Sequence, residues 1–357
     1  MAAVLLASVA APAGALGALG ATGESRASVA AAAGWRVLFQ HHYGPAEDYS
    51  VYNVAVATSP ANAWVLGGSD IAGGTGTVQY PVAAHWNGKA WRGVPLPAGL
   101  TSDIIAASAP AASDIWAVTW FGGWILHWNG VRWLVAKDLP GGGELTGVVA
   151  TSRDNVWVFG GGGYIGGLGT WHYNGKTWRE FKSGDAVGLE AGSALSARNI
   201  WAVGGNLSPS SAIDHFNGTR WQAVPAKAFS GLQFGSIRAF GARNVWVTAV
   251  ALGATKQTAY LLHYNGVSWT RFSVPWQIQL NDPASDGHGG LWFTGYPFGP
   301  REQFLVHRSA DGAWSRTYVT WFPQGLAHVP GTFSLLAGGW AHDLTGGSAV
   351  AAADGRI

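Results

Sequence analysis

Residues 155–178 hold the stretch that decides the fold: Asn155-Val156-Trp157-Val158-Phe159-Gly160, followed by His172-Tyr173-Asn174-Gly175-Lys176-Thr177-Trp178. The second half, His-aromatic-Asn-Gly-x-x-Trp, returns from His85 to Trp91, His127 to Trp133, His215 to Trp221 and His263 to Trp269. A degenerate copy runs from His307 through Asp311-Gly312 to Trp314. The first half returns around Trp64, Trp116, Trp201, Trp246 and Trp292, with Leu335 in the seventh place. Successive members lie 52, 41, 44, 45, 46 and 43 residues apart. A fixed period of roughly 40 to 50 residues points to a propeller or a solenoid.

Each period parses into four short strands, in the third Gly147 to Ser152, Val156 to Gly160, Gly169 to Tyr173 and Thr177 to Phe181. Before the central Trp stands an Asn or Asp (Asn62, Asp114, Asn155, Asn199, Asn244), a residue type that tolerates the left-handed backbone of a tight hairpin. The Asn-Gly pair marks a second hairpin. Four antiparallel strands per period make a propeller blade. The last period stops at Ile357 where a fourth strand is due, and Trp35-Arg36-Val37 matches Trp91-Arg92-Gly93 and Trp178-Arg179-Glu180. The reading is an all-β, seven-bladed β-propeller of four-stranded antiparallel blades over residues 34–357, closed by an N-terminal strand that completes the last blade. A truncated C-terminus is the competing explanation.

Charged residues are only 11% of the chain and the formal charge is +2, with Lys and Arg scattered singly, so no basic stripe exists to follow a nucleic-acid backbone. The absence of Cys removes disulfides, thiolate metal sites and Cys nucleophiles. Residues 1–23 are almost wholly Ala, Gly, Leu and Val with small-residue cleavage sites, which reads as a signal peptide although a basic n-region is missing. Residues 24–33 read as a linker. No other segment is long and apolar enough for stable membrane insertion, so the expectation is a secreted, extracellular monomer.

These Trp-rich repeats resemble the propellers of secreted actinobacterial proteins and, more distantly, two larger groups. Gly67-Gly68, Gly160-Gly161, Gly204-Gly205 and Gly338-Gly339 are similar to the Gly pair that ends strand two in kelch and galactose-oxidase-like propellers; Thr119 and Ala249 depart from it. Ser309-Ala310-Asp311-Gly312-Ala313-Trp314 resembles a shortened Asp-box of sialidase-like propellers. The resemblance implies a fold and no activity. Galactose oxidase chemistry needs a Cys this chain lacks, and sialidase chemistry needs three Arg where the expected innermost strands hold Arg238 alone.

The six repeated His (85, 127, 172, 215, 263, 307) occupy one column in different blades, too far apart for the bonds of a shared metal, and are read as hydrogen-bonded structural residues. The repeated Trp columns are read as filler between blades. Function is sought where the repeat breaks, in the connections between strands two and three and from blade to blade, because binding residues concentrate on loops carried by a rigid scaffold. The ligand-binding candidates are His42, Tyr43, Trp120, Tyr164, Trp276, Tyr296, Arg301, Trp321, Trp340 and His342. Asp185, Glu190, Asp282 and Asp286 are placed on the same face as a possible acid/base set. The reading is a non-catalytic propeller that binds a carbohydrate or protein ligand there, with no catalytic residue, metal or cofactor assigned. The alternative is an extracellular carbohydrate-active hydrolase or lyase using those carboxylates.

Overall fold

The computed structural model describes residues 35–41, 49–73, 76–162, 166–181, 188–205, 212–225, 229, 231–252, 257–298, 304–319, 321–341 and 348–353. Strand β1 (Trp35–His41) precedes blade 1, which is β2 (Tyr49–Ser59), β3 (Asn62–Gly73), β4 (Gly76–Trp86) and β5 (Trp91–Gly93). Blade 2 is β6 (Ile104–Ala111), β7 (Asp114–Thr119), β8 (Trp124–Trp128) and β9 (Trp133–Asp138). Blade 3 is β10 (Gly147–Ser152), β11 (Asn155–Gly160), β12 (Gly169–Tyr173) and β13 (Trp178–Phe181). Blade 4 is β14 (Leu189–Ser196), β15 (Asn199–Gly204), β16 (Ala212–Phe216) and β17 (Trp221–Ala223). Blade 5 is β18 (Leu232–Gly241), β19 (Asn244–Leu252), β20 (Gln257–Tyr264) and β21 (Trp269–Ser273). Blade 6 is β22 (Ile278–Ser285), β23 (Leu291–Pro297), β24 (Phe304–Arg308) and β25 (Trp314–Tyr318), and β26 (Trp321–His328), β27 (Leu335–Ala341) and β28 (Ser348–Ala353) follow.

These strands form seven four-stranded antiparallel sheets, of which six are blades of four consecutive strands. The remaining sheet has the order β1-β28-β27-β26 and is a composite of two distant segments, registered from Trp35 opposite Ala353 to His41 opposite Ser348. The reading of seven like blades is corrected accordingly: six blades are continuous in the chain, and the last sheet is not a continuous copy of the repeat. The first strands of the sheets, β2, β6, β10, β14, β18, β22 and β26, each touch the next, and β26 touches β2, so the sheets form a closed ring around an axis. No sheet face at the seam is left open.

Seven apolar clusters lie one between each pair of neighbouring sheets, and the repeated Trp is central to most of them. Trp64 meets Trp128 and Trp133 of blade 2 at 4.7 and 5.6 Å, and Trp157 meets Phe216 and Trp221 of blade 4 at 4.8 and 5.2 Å. Trp116 and Trp201 repeat this against Tyr173 with Trp178 and Tyr264 with Trp269. At the composite sheet Trp35 fills the fourth-strand position, 5.8 Å from Trp292. Trp35 is thus as much a repeat Trp as Trp133, although it lies hundreds of residues from its sheet partners.

The His column is explained by local bonding. Each His is registered opposite its Trp and packs against it, stacked in five blades and tilted for His215 on Trp201, with centroids from 4.0 Å (Trp246 and His263) to 4.6 Å (Trp292 and His307). Its Nε2 reaches the Asn or Asp of the first hairpin, as in His172 to Asn155 Oδ1 at 2.7 Å and His127 to Asp114 Oδ1 at 2.7 Å. The partner therefore lies within the same blade. The Asn-Gly pair also works differently from a two-residue hairpin. Trp86 pairs with Trp91, so the loop is four residues long; Gly88 takes φ 86°, and Asn87 Oδ1 accepts the backbone N–H groups of Lys89 and Ala90. The side chain serves as a third strand-like acceptor where the ladder ends.

The Gly pairs that end strand two serve close approach to the first strand of the same sheet. A Cβ on Gly67 would sit 1.9 Å from the Val51 carbonyl, one on Gly204 1.9 Å from that of Gly188, and one on Gly339 2.1 Å from that of Phe322. Only Gly lets the neighbouring backbone come that near.

Candidate functional site

The hairpins between strands one and two and between strands three and four lie on one end of the ring, and the other connections lie on the opposite, variable end. The candidates divide between positions on that end, a position in the core, and positions outside the described residues. His42, Tyr43, Tyr164, Arg301 and His342 fall outside the described residues, as does Asp185.

Trp120 follows β7 and stacks on Phe121 at 4.6 Å; its backbone N–H donates to the Asp103 carbonyl and its carbonyl accepts from Leu145 N–H, both at 2.9 Å. That pair of bonds ties it to the residues just before the first strands of blades 2 and 3. Trp276, between β21 and β22, carries the Arg316 guanidinium 4.8 Å above its ring and packs on the cluster between blades 5 and 6. Tyr296, near the end of β23, donates its hydroxyl to Gln324 Oε1 of β26, bridging blade 6 to the composite sheet. Trp340, at the end of β27, stacks on Phe322 at 5.6 Å. Trp120, Phe121, Trp276, Phe322 and Trp340 are all half-buried. Trp321 is different: it is the first residue of β26 rather than part of a connection, is 4% exposed, and packs beside Trp35 at 6.3 Å.

The carboxylates are separated by the fold. Asp286 lies in the hairpin between β22 and β23, at the opposite end from the candidates, where it accepts from His288 N–H, Gly290 N–H and His307. It is corrected from a site residue to a turn residue. Asp282 is on the innermost strand β22, within a bulge between Asn281 and Ala284, and is the one non-glycine residue with positive φ (51°) among the described residues. Glu190 is buried at the start of β14.

Asp282 faces a neighbour that sequence reasoning noted only as a lone Arg. Arg238 of β18 donates through Nε to the Pro283 carbonyl at 3.3 Å, and Asp282 N–H donates to Ser236 Oγ at 3.2 Å. Ser236 Oγ also lies 3.0 Å from Thr248 Oγ1, and Thr294 Oγ1 donates to Asp282 Oδ2 at 3.4 Å. Arg238 is exposed although it lies on β18, one of the innermost strands of the closed ring, and this places it at the axis. Burial pulls the guanidinium down from its ordinary value, with Asp282 opposing; burial pushes the Asp282 carboxyl up, with Arg238 and the Thr294 hydrogen bond opposing. Arg238 stays charged all the same. Asn281-Asp282-Pro283 was the available signal, since Pro inside a strand marks an edge or a bulge and here the strand is innermost.

No family model and no curated protein sequence matches the chain. Many solved structures match it in shape. A virginiamycin B lyase from Staphylococcus aureus, a catalytically inactive variant with quinupristin, superposes with TM-score 0.63 at 10% identity, covering 89% of this chain and 99% of its own. The Cps50 (Swd1) β-propeller domain of Myceliophteria thermophila gives TM-score 0.62 at 10% identity, covering 89% of this chain and 99% of that one. YCF48 bound to D1 peptide gives 0.58 at 13% identity, covering 91% and 99%. The shared fold is the β-propeller. At these identities nothing but the fold carries over, since one propeller scaffold hosts binding proteins and a lyase alike. Among the described residues no helix is long and apolar enough to cross a membrane.

Proposed function

We propose that this propeller is a secreted, monomeric binding protein whose variable end takes a carbohydrate. The observation that carries the reading is the set of half-buried aromatics there, the stacked pairs Trp120 with Phe121 and Phe322 with Trp340 together with Trp276. Their positions do not recur in the other blades, so the repeat itself does not call for them. Ring faces held rigid by stacking or by a guanidinium offer apolar area at low entropic cost, and the polar handles beside them, Tyr296 and Gln324, orient hydroxyls. A protein ligand uses the same kind of surface and is the second outcome of the test. Of the carboxylates grouped as an acid/base set, Asp286 lies at the other end of the ring and drops out of it. The small, apolar composition of residues 1–23 supports the secreted reading.

Glycan-array binding by the mature protein tests this, repeated with Trp276→Ala and Trp340→Ala. Loss of a wild-type signal in either variant supports the variable end; a signal unchanged in both overturns it. Trp321→Ala is unsuitable as a probe, because its ring is part of the core between blade 6 and the composite sheet.

A further inference from the structure

The innermost strands carry almost no charge. Strands β2, β6, β10 and β26 contain no Asp, Glu, Lys or Arg, and Glu190 of β14 is buried. That leaves Arg238 of β18 and Asp282 of β22, on adjacent blades, and of the two Arg238 is the one extensively reached by solvent. Its Nε is committed to the Pro283 carbonyl, and among the described residues no other hydrogen bond reaches the guanidinium. Among the described residues the contacts between oppositely charged groups within 4 Å are His127 with Asp114 and His307 with Asp286. Asp282 therefore acts on Arg238 across a gap and does not neutralise it by contact.

A guanidinium in a protein-walled channel that holds few other charges attracts an anion, because low-dielectric walls focus its field. Its planar fork matches a carboxylate in particular. Asp282, close by, repels additional negative charge and so favours a monoanion over a dianion. We propose that the axial channel is a binding site for a small monocarboxylate, with Arg238 as its anchor and Asp282 as the group that rejects doubly charged anions. The site is independent of the aromatic surface at the variable end.

The test is calorimetric titration of the full chain with acetate, with acetamide as the uncharged isostere and sulfate as the dianion. Saturable acetate binding in the roughly millimolar range is expected, with no response to acetamide and a weaker one to sulfate. Arg238→Gln should weaken acetate binding by roughly tenfold or more, and Arg238→Lys by less. Asp282→Asn should tighten acetate and narrow the preference over sulfate, a change that a merely structural pair would not produce. Absence of saturable acetate binding, or equal binding by folded Arg238→Gln, overturns the site. Should Arg238→Gln fail to fold, equal acetate and sulfate affinities in wild-type protein together with no change in Asp282→Asn overturn it instead. Trp340→Ala should leave acetate binding unchanged, so failure here and failure of the carbohydrate reading are separate results.

Discussion

His307 Nε2 lies 2.9 Å from Asp286 Oδ2, although Asp286 is six residues ahead of Trp292 rather than two. The usual place two residues before the Trp is taken by Gly290, where a Cβ would sit 2.2 Å from that same carboxylate oxygen. The carboxylate occupies the space the glycine leaves, so blade 6 keeps the bond with a residue from a different position. Replacing Asp286 by Ala removes acceptors for His307 and for two backbone N–H groups. Chemical denaturation should show a loss of about 1–3 kcal/mol, and Asp286→Asn a smaller one.

Acid should destabilise the same turn. Burial raises Asp286, but the hydrogen bonds from His307, His288 and Gly290 outweigh it and hold the carboxyl below its ordinary value. A depressed carboxyl contributes stability above its unfolded value, and the contribution disappears as pH falls from about 4 through the folded value. Urea midpoints measured between about pH 5 and 3 should fall less steeply for Asp286→Asn than for wild type.

The four His partnered by Asn (His85, His172, His215 and His263) are all lowered by burial, His263 also by Arg308. Below about pH 6.5 the unfolded chain takes up protons at these positions that the folded chain does not, so stability falls as pH falls. The Tm should decrease as pH is lowered from about 7 to 5. His172→Gln, which can keep a bond to Asn155, should reduce that slope.

The inter-blade Trp should dominate stability. Trp157 is fully buried among His172, Phe216 and Trp221. Trp157→Ala should cost about 3–5 kcal/mol, and Trp35→Ala, which empties the composite sheet's contact with Trp292, a similar amount. Equal stability of Trp35→Ala and wild type in denaturant would show that the composite sheet is not part of the cooperative unit.

Gly204→Ala should be destabilising although this backbone does not require a positive φ. The new methyl would meet the Gly188 carbonyl at 1.9 Å, so the start of β14 must move away from its partner β15 within blade 4. A loss of about 1–3 kcal/mol is expected for such overpacking, measured against Gly99→Ala, where space is open but φ is 86°.

Much of the architecture was legible because a repeat writes each structural role several times. The strands read for the third period coincide with β10 and β12 and fall within one residue of β11 and β13 at their starts. Trp35 was recognisable as a fourth-strand residue from its likeness to Trp91 and Trp178. The candidate site was less legible because it lies where the repeat fails, and a residue that occurs once carries no periodic signal. Trp321 looked like part of a connection since its inward orientation depends on where β26 begins. Asp286 looked like a site carboxylate since nothing local announces that Gly290 has made room for it.

Sequence alone determined the period, the four strands of each unit, the Trp and His columns and the two hairpins, because those follow from alternation, turn chemistry and neighbours a few residues apart. Only the tertiary structure decided the register in which β1 pairs with β28, and that Arg238 and Asp282 come together on adjacent innermost strands. Those outcomes depend on pairing between remote strands and on bulges that shift side chains from one face to the other, and neither is encoded in any short window of residues.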